Sequence, residues 1–551
     1  MKTLIPTKII APLLLLVLFS LSLSSMLTKS ATYDETSHLP SGYLYLKTSD
    51  FSFHNHNPPL IKILAAVPLL AMDINLDKER YAKIKGLEDI GLEFMNNNAQ
   101  DYRKIFFYGR LMILVIGLFG GFIVFAWARK IYGYPAGCAA LFFYSLSPNI
   151  LAHSHFVTSD LGSAVFILAA LYFFSRWLKR GMSAGDTILS GVLLGCAELT
   201  KFSALPLYGI LIIYFFYYYF KYALPRKSIV SLAAIFLISI IIINAGYLFD
   251  GTFTPIGTFE FKTQFLNSIQ NILPSSVPMP LPYEYVSGFD VTKADAKHGY
   301  YQFFMGMRSV TSGWWYYYPV AFLLKVPIAF ILALSLLVIV RCRERLSGFK
   351  DDEVLMLIML SVYAVTFILA IKINIGLRYM LPLFPVLHIL ASRLVIVKIN
   401  DKVRLLVLAA VLIFYGAATL NVHPHYLSFF NSFAGGPENG YNYLIDSNID
   451  WGQDLPLLKK YMDDQEMDEI KLAYFGTADP GVYGIKFTPL KREDRGVRAA
   501  VSVNYYQGYP PRMLYNNKPL YGLPDYYSYL HDYPIVDRVG YSLLIFDIPP
   551  D

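Results

Sequence analysis

Two adjacent carboxylates, Asp34 and Glu35, stand just past the first apolar run of the chain, Ile9 to Leu27. A carboxylate at the mouth of a membrane segment is placed to take a proton from a hydroxyl. Next come Gly42-Tyr43, Asp50, the run His54-Asn55-His56-Asn57 and the pair Pro58-Pro59. A second set follows at the ends of later apolar runs: His153, His155 and Asp160, then Lys201, then Lys372 and Arg378. Carboxylates facing cations at one membrane surface suit transfer from a lipid phosphate. One carboxylate takes the acceptor's proton, and the cations stabilise charge growing on the departing phosphate. Arg grips phosphate bidentately, whereas Lys acts as a point charge. Plainer readings stand beside these. Asp34 and Glu35 are ordinary charges for a wet loop, and an Asp opening an apolar run, as Asp160 does, is a helix cap.

His54/His56 and His153/His155 repeat a His-x-His spacing, which on a strand points both rings to one face. Zinc would need a further ligand, with Asp34 or Glu35 as candidates. The favoured expectation is that these histidines hydrogen-bond a sugar or phosphate and that no cofactor is required, a divalent metal being the alternative. The chain has no Gly-rich phosphate loop, nucleophile-elbow serine or HExxH motif, which argues against nucleotide-driven or hydrolytic chemistry.

The elements that position these groups are membrane helices. Of 551 residues, 55% are hydrophobic and 16% charged, against about a quarter charged in soluble domains. The 43 tyrosines and 40 phenylalanines suit a membrane–water boundary. The net charge of +7 does not imply nucleic acid, because Lys and Arg cluster beside apolar runs as topology requires. Cys138, Cys196 and Cys342 lie in or beside such runs, so no disulfide framework is implied.

Apolar runs at roughly 9–27, 105–127, 135–151, 161–178, 187–199, 203–220, 229–248, 317–340, 354–371, 377–397 and 403–420 predict about eleven transmembrane helices. Lys2 and Lys8 precede the first, which reads as a retained anchor because it is longer than a signal-peptide core. Leu60–Met72 is short and reads as an interfacial helix with Pro59 in its first turn. With the N-terminus inside, Arg129, Lys130, Arg176, Lys179, Arg180, Lys221, Arg226, Lys227, Arg341, Arg343, Arg345, Lys350, Lys398, Lys402 and Arg404 fall on inner loops. Lys78, Arg80, Lys83, Lys85, Arg103 and Lys104, in the polar stretch 74–104, fall outside against that rule. Lys201 marks an outer turn between two short helices.

The outer loop 249–316 carries Arg308 and leads into Trp314-Trp315-Tyr316-Tyr317-Tyr318-Pro319. Its length fits a lid, its aromatics an interfacial anchor. From Asn421 the composition turns polar, and 421–551 is expected to form a soluble extracytoplasmic α/β domain on the same side as Asp34. Strands are predicted at Tyr443–Ile445, Ile470–Tyr474, Ala499–Tyr505 and Tyr541–Asp547. A capping box, Asp450 with Gln453, is predicted to open a helix to about Tyr461. Asp446-Ser447-Asn448 and Asp450-Trp451 are either substrate-binding groups or turn and cap residues.

Taken in order, Tyr33-Asp34-Glu35, Pro58-Pro59, Val157-Thr158-Ser159-Asp160, Leu199-Thr200-Lys201, the Trp-Tyr stretch and Arg378-Tyr379 with Pro382 and Pro385 resemble the GT-C membrane glycosyltransferases. The branch it resembles is glycosyltransferase family 39, with the protein O-mannosyltransferases and the lipid A aminoarabinose transferase. The resemblance covers residues 1–420 and implies an inverting transfer of a sugar from a polyprenyl-phosphate donor to a protein, lipid or glycan acceptor. It implies Asp34 as catalytic aspartate, Glu35 as its partner and Asp160 near the sugar. Donor-binding groups would come from His54, His56, Asn57, Lys62, His155, Lys201, Arg308, Tyr318 and Arg378. Asn57 stands where the aminoarabinose branch has a lysine before the double proline, so phosphate binding there would pass to Lys62, His56 or another cation. A transporter or lipid flippase is the competing class, and a noncatalytic membrane scaffold a third. Transporters show internal repeats and midplane charges. This chain shows no repeat between its halves, and its charged groups gather at one surface.

Overall fold

The structure is a computed structural model describing residues 9–77, 81, 87–344, 348–369, 373–397, 400–515 and 518–550. Lys2, Lys8, Lys78, Arg80, Lys83, Lys85, Arg345, Lys372 and Lys398 lie outside the described residues. Among the described residues, six helices are long and apolar enough to cross a membrane: Ile10–Leu27, Tyr102–Tyr132, Ser159–Lys179, Phe202–Lys221 (its first residues a 3-10 turn), Lys227–Gly246 and Asp401–Asn421. A seventh crossing arises if Tyr317–Lys325 and Ile328–Arg343, bent by 116° at Val326-Pro327, act as one span. The chain is a helical integral membrane protein.

The other predicted runs are also helical, most of them short or broken. Run 135–151 folds as Tyr134–Ser145 followed by Pro148–His153, each with a proline in its first turn, where the missing N–H costs nothing. Run 354–371 folds as helix Asp351–Leu369, with three acidic residues in its first turn. Run 377–397 folds as a 3-10 turn Leu377–Met380, helix Leu383–Ala391 and a second 3-10 turn. Leu60–Ala66 is helical and passes into a 3-10 turn to Ala71. Helices Ala184–Glu198 and Pro206–Lys221 are separate, with Lys201 at the break. Ala184–Glu198 packs against Lys227–Gly246 through Gly191 and Gly195, where a Cβ would meet the carbonyls of Ile235 and Ser239 at 2.8 Å. This is close backbone approach through small residues four apart.

Loop 249–316 contains helices Gln264–Ile272 and Tyr283–His298 and the hairpin 302–304/307–309. In the C-terminal part, five strands pair in the order 487–489, 470–473, 497–502, 543–548, 535–539. The first three run parallel and the last two antiparallel to their neighbours. The predicted strands at 470–474, 499–505 and 541–547 fall within a few residues of this sheet. Tyr443–Ile445 does not form a strand: Leu444 makes a single bridge to Phe304. The predicted capping box is absent as well. The helix starts at Leu455, Asp450 accepts from Ser502 and from Gly452 N–H, and Gln453 accepts from Trp451 N–H.

The sheet shares one continuous apolar core with the helices. Residues 29–33, just after the first helix, lie along 451–454. Lys29 Nζ pairs with Asp454 at 2.6 Å with both side chains buried. Ser30 N–H donates to Gln453 O and Tyr33 N–H to Trp451 O.

Candidate active site

Asp34 sits at the N-terminal boundary of helix Glu35–Thr48. That helix lies against Leu60–Ala66, and Gly42 allows it: a Cβ there would stand 2.0 Å from Lys62 O. Asp34 Oδ2 accepts from Arg378 Nη1 at 2.6 Å, and its side chain is 26% exposed. Arg378 comes from the 3-10 turn Leu377–Met380, 344 residues away in sequence. The same Nη1 lies 3.5 Å from Asp160 Oδ2. Asp160, in the first turn of Ser159–Lys179, is buried, and its other oxygen accepts from Lys201 Nζ at 2.6 Å.

Two carboxylates and two cations thus form one chain: Asp34, Arg378, Asp160, Lys201. Aromatic faces back the cations. Trp451 lies 4.3 Å from the Arg378 guanidinium, and Tyr379 lies 4.5 Å from Lys201 Nζ. The Nε of Arg378 is buried without a partner among the described residues. A guanidinium with an unused donor beside an ammonium is suited to a phosphate.

Glu35, adjacent in sequence, is fully buried and turned away. Its oxygens accept from Arg110 Nε and Nη2 (2.8 and 2.6 Å), Thr32 N–H and hydroxyl (2.9 and 3.0 Å) and Val157 N–H (2.8 Å). No oxygen is left for a substrate proton, so Glu35 is a fastening between helices. Arg110 was not singled out from the sequence, although an arginine inside an apolar run is a signal in itself.

The histidines are not on strands. His54 ends the 3-10 turn Ser52–His54. Its Nδ1 is 3.5 Å from Ser41 Oγ, and burial holds it well below its usual range, hence neutral. His38, its ring tilted against that of His54 at 5.0 Å, is lowered to about 4, chiefly by burial. His56 bonds Asp295 at 2.8 Å, and burial lowers it against that carboxylate's pull. His155 is fixed by Leu151 O at 3.0 Å. His153 is buried near Trp451 with Nδ1 unpartnered among the described residues. Among the described residues, no three His, Cys, Asp or Glu side chains cluster to hold a metal ion.

Lys62 is buried and bonds His54 O (2.6 Å) and Tyr45 OH (3.0 Å), so it braces the His54 turn. Asn57 Oδ1 is 3.5 Å from Ser159 Oγ, beside Asp160. Tyr318 donates to Ile373 O at 2.6 Å and stands edge-on to Tyr379. Arg308 is not brought into the cluster; it pairs with Asp525 on the surface.

The tail contributes more than the sequence suggested. Ser447 Oγ donates to Ile375 O (2.7 Å), and Leu377 N–H donates to Asn448 Oδ1 (3.0 Å), so residues 446–448 fasten the turn that carries Arg378. Buried Lys325 in turn holds the carbonyls of Leu427, Phe429 and Asn448.

Residues 104–247, which include Arg110, Asp160 and Lys201, match the family described as dolichyl-phosphate-mannose-protein mannosyltransferase. No curated protein sequence matches the chain significantly. Among solved structures, ArnT from Cupriavidus metallidurans in the apo state is similar at 12% identity and a TM-score of 0.47, covering 98% of this chain and 97% of that one. The same protein bound to undecaprenyl phosphate gives 13% identity and a TM-score of 0.46 over the same shares. The Archaeoglobus fulgidus oligosaccharyltransferase in complex with Zn and sulfate gives 14% and 0.46, over 74% of this chain and 53% of that one. The family match over residues 104–247 is to membrane glycosyltransferases, and the motifs in order around it resemble the GT-C, family 39 pattern.

Proposed function

We propose that the chain is an inverting transferase that moves a hexosyl or pentosyl unit from a polyprenyl-phosphate donor to an acceptor hydroxyl or phosphate. The acceptor is carried by a protein, lipid or glycan at the extracytoplasmic face of the plasma (inner) membrane. The observation that carries the reading is the shared guanidinium: Arg378 Nη1 is 2.6 Å from Asp34 and 3.5 Å from Asp160, with Lys201 on the far side of Asp160.

In the reaction, the acceptor oxygen bonds to the anomeric carbon as the bond from that carbon to the phosphate oxygen breaks. The bonding pair stays on the phosphate, and the acceptor's proton passes to Asp34. Attack opposite the departing phosphate inverts the anomeric centre. Arg378 and Lys201 stabilise the charge gained by the polyprenyl phosphate. A phosphate that takes up Arg378 frees Asp34 Oδ2 for the acceptor. Asp160 keeps the two cations apart and oriented, and Tyr318 supports Tyr379 beneath Lys201.

The proposed topology has eleven crossings, the N-terminus cytoplasmic, loops 28–104 and 249–316 outside and 421–551 as an extracytoplasmic domain. The hydrogen bonds joining 29–33 to 451–454 support Asp34 and the tail sharing one side. Helix Tyr283–His298 of the outer loop buttresses the His54 turn, through Glu284 with Asn55 (2.9 Å) and Asp295 with His56. The test is Asp34→Asn in a strain lacking the native copy, with mass spectrometry of its glycans and lipids. The expected result is loss of the sugar-bearing product with undecaprenyl phosphate binding retained; full modification by Asp34→Asn would overturn the reading.

A further inference from the structure

A third carboxylate belongs to the centre and comes from the tail. Asp446 is half-buried in the 3-10 turn Asp446–Asn448, whose Ser447 and Asn448 bond the backbone of the Arg378 turn at Ile375 and Leu377. Its backbone has φ +58°, a left-handed conformation rare for residues other than Gly, Asn and Asp. That conformation is imposed by its surroundings: Asn504 Oδ1 accepts the Asp446 N–H at 2.7 Å, and Lys325 holds the turn's end at Asn448 O. Among the described residues the carboxylate is bonded only by its neighbour Ser447. Arg378 draws on its charge and Asp34 repels it, so it lies within electrostatic reach of both.

The cluster therefore holds three carboxylates, Asp34, Asp160 and Asp446, against two cations. Donor chemistry calls on both cations. What remains on the Asp34 and Asp446 side is negative and rich in acceptors. Such a surface repels a phosphate and binds a group that donates hydrogen bonds.

Resting on the transferase reading, we infer that Asp446 is an acceptor-binding residue that hydrogen-bonds the incoming group beside Asp34, and that this group is a hydroxyl and not a phosphate. The tail then completes the site: the turn that fastens Arg378 also presents the residue that selects the acceptor. Burial raises the Asp446 carboxyl to about 6 in spite of Arg378, so it is charged, and able to accept, above that pH.

The test uses the full chain as wild type, Asp446→Asn and Asp34→Asn. Each is expressed in a host strain lacking the native copy and also purified for undecaprenyl phosphate binding. Asn keeps an oxygen for the Ser447 N–H and tolerates the left-handed backbone, so Asp446→Asn leaves the turn intact. The expected result is sugar transfer lowered at least about tenfold, as for loss of a charged hydrogen-bond partner, with lipid-phosphate affinity within about twofold of wild type. The wild-type product is expected to be a glycoside stable to mild acid, and the same mass spectrum shows whether protein, glycan or lipid carries the hydroxyl. Three results would overturn the inference: wild-type transfer by Asp446→Asn, equal losses of transfer and lipid-phosphate affinity, or an acid-labile glycosyl phosphate as product. Wild-type transfer by Asp446→Asn with Asp34→Asn inactive removes this inference alone; activity in Asp34→Asn removes the transferase reading beneath it.

Discussion

Asp34 and Glu35 are neighbours in sequence and opposites in setting. Glu35 is buried, and five hydrogen bonds from Arg110, Thr32 and Val157 use it up. Asp34 is partly exposed, with one strong partner, Arg378, that itself has an unused donor. A saturated ion pair fastens helices; an unsaturated one is available for a substrate. Chemistry here follows from what a pair leaves unbonded, because both pairs have ideal contact distances.

Breaking the fastening pair should have the largest effect. Arg110→Met strands the Glu35 charge in the core, at a cost of roughly 3–5 kcal/mol. Thermal unfolding and folded yield in detergent should both collapse, and a variant as stable as wild type would erase the distinction between the pairs. Asp34→Asn should do the reverse, lowering transfer by about 100-fold or more while the melting temperature stays near wild type. Arg378→Lys keeps the charge but loses the planar guanidinium whose Nη1 meets both carboxylates while Nε stays unused, so transfer should fall by about tenfold to a hundredfold. Undecaprenyl phosphate affinity measured in parallel should weaken with it.

The pH profile sharpens the same contrast. Asp446, raised to about 6 by burial, accepts a hydrogen bond when ionised, so transfer should decline as pH falls through 6. Membranes from the Asp446→Asn strain should lack that acid limb. The smallest effect is expected at the surface: Arg308→Ala, which removes a pair with half-exposed Asp525, should shift stability by less than about 1 kcal/mol and leave transfer within about twofold.

Asp34, Asp160, Lys201 and Arg378 were legible because charges at the ends of apolar runs stand out, and the structure joins all four. Lys62 and His155 have charge or hydrogen-bonding capacity that suits a ligand, yet neighbouring backbone carbonyls occupy them. The His-x-His spacing implied a shared face only on a strand, and His54 lies in a 3-10 turn instead. In the tail, the apolar runs marked three strands correctly. Asp450 matched a capping pattern, but a bond to Ser502, 52 residues on, won over the local one. Asp446 looked like a turn residue, and nothing local showed that its turn would face Arg378.

The sequence alone determined a helical membrane chain, the positions of its apolar runs and the gathering of opposite charges at their ends. Hydrophobic length and charge placement are local properties, set by what a bilayer accepts. Only the tertiary structure decided which carboxylate is spent on holding helices and which keeps bonding capacity to spare. That choice depends on donors such as Arg110 and Arg378, brought across 75 and 344 residues, and a hydrogen bond's partner is fixed by distance in space.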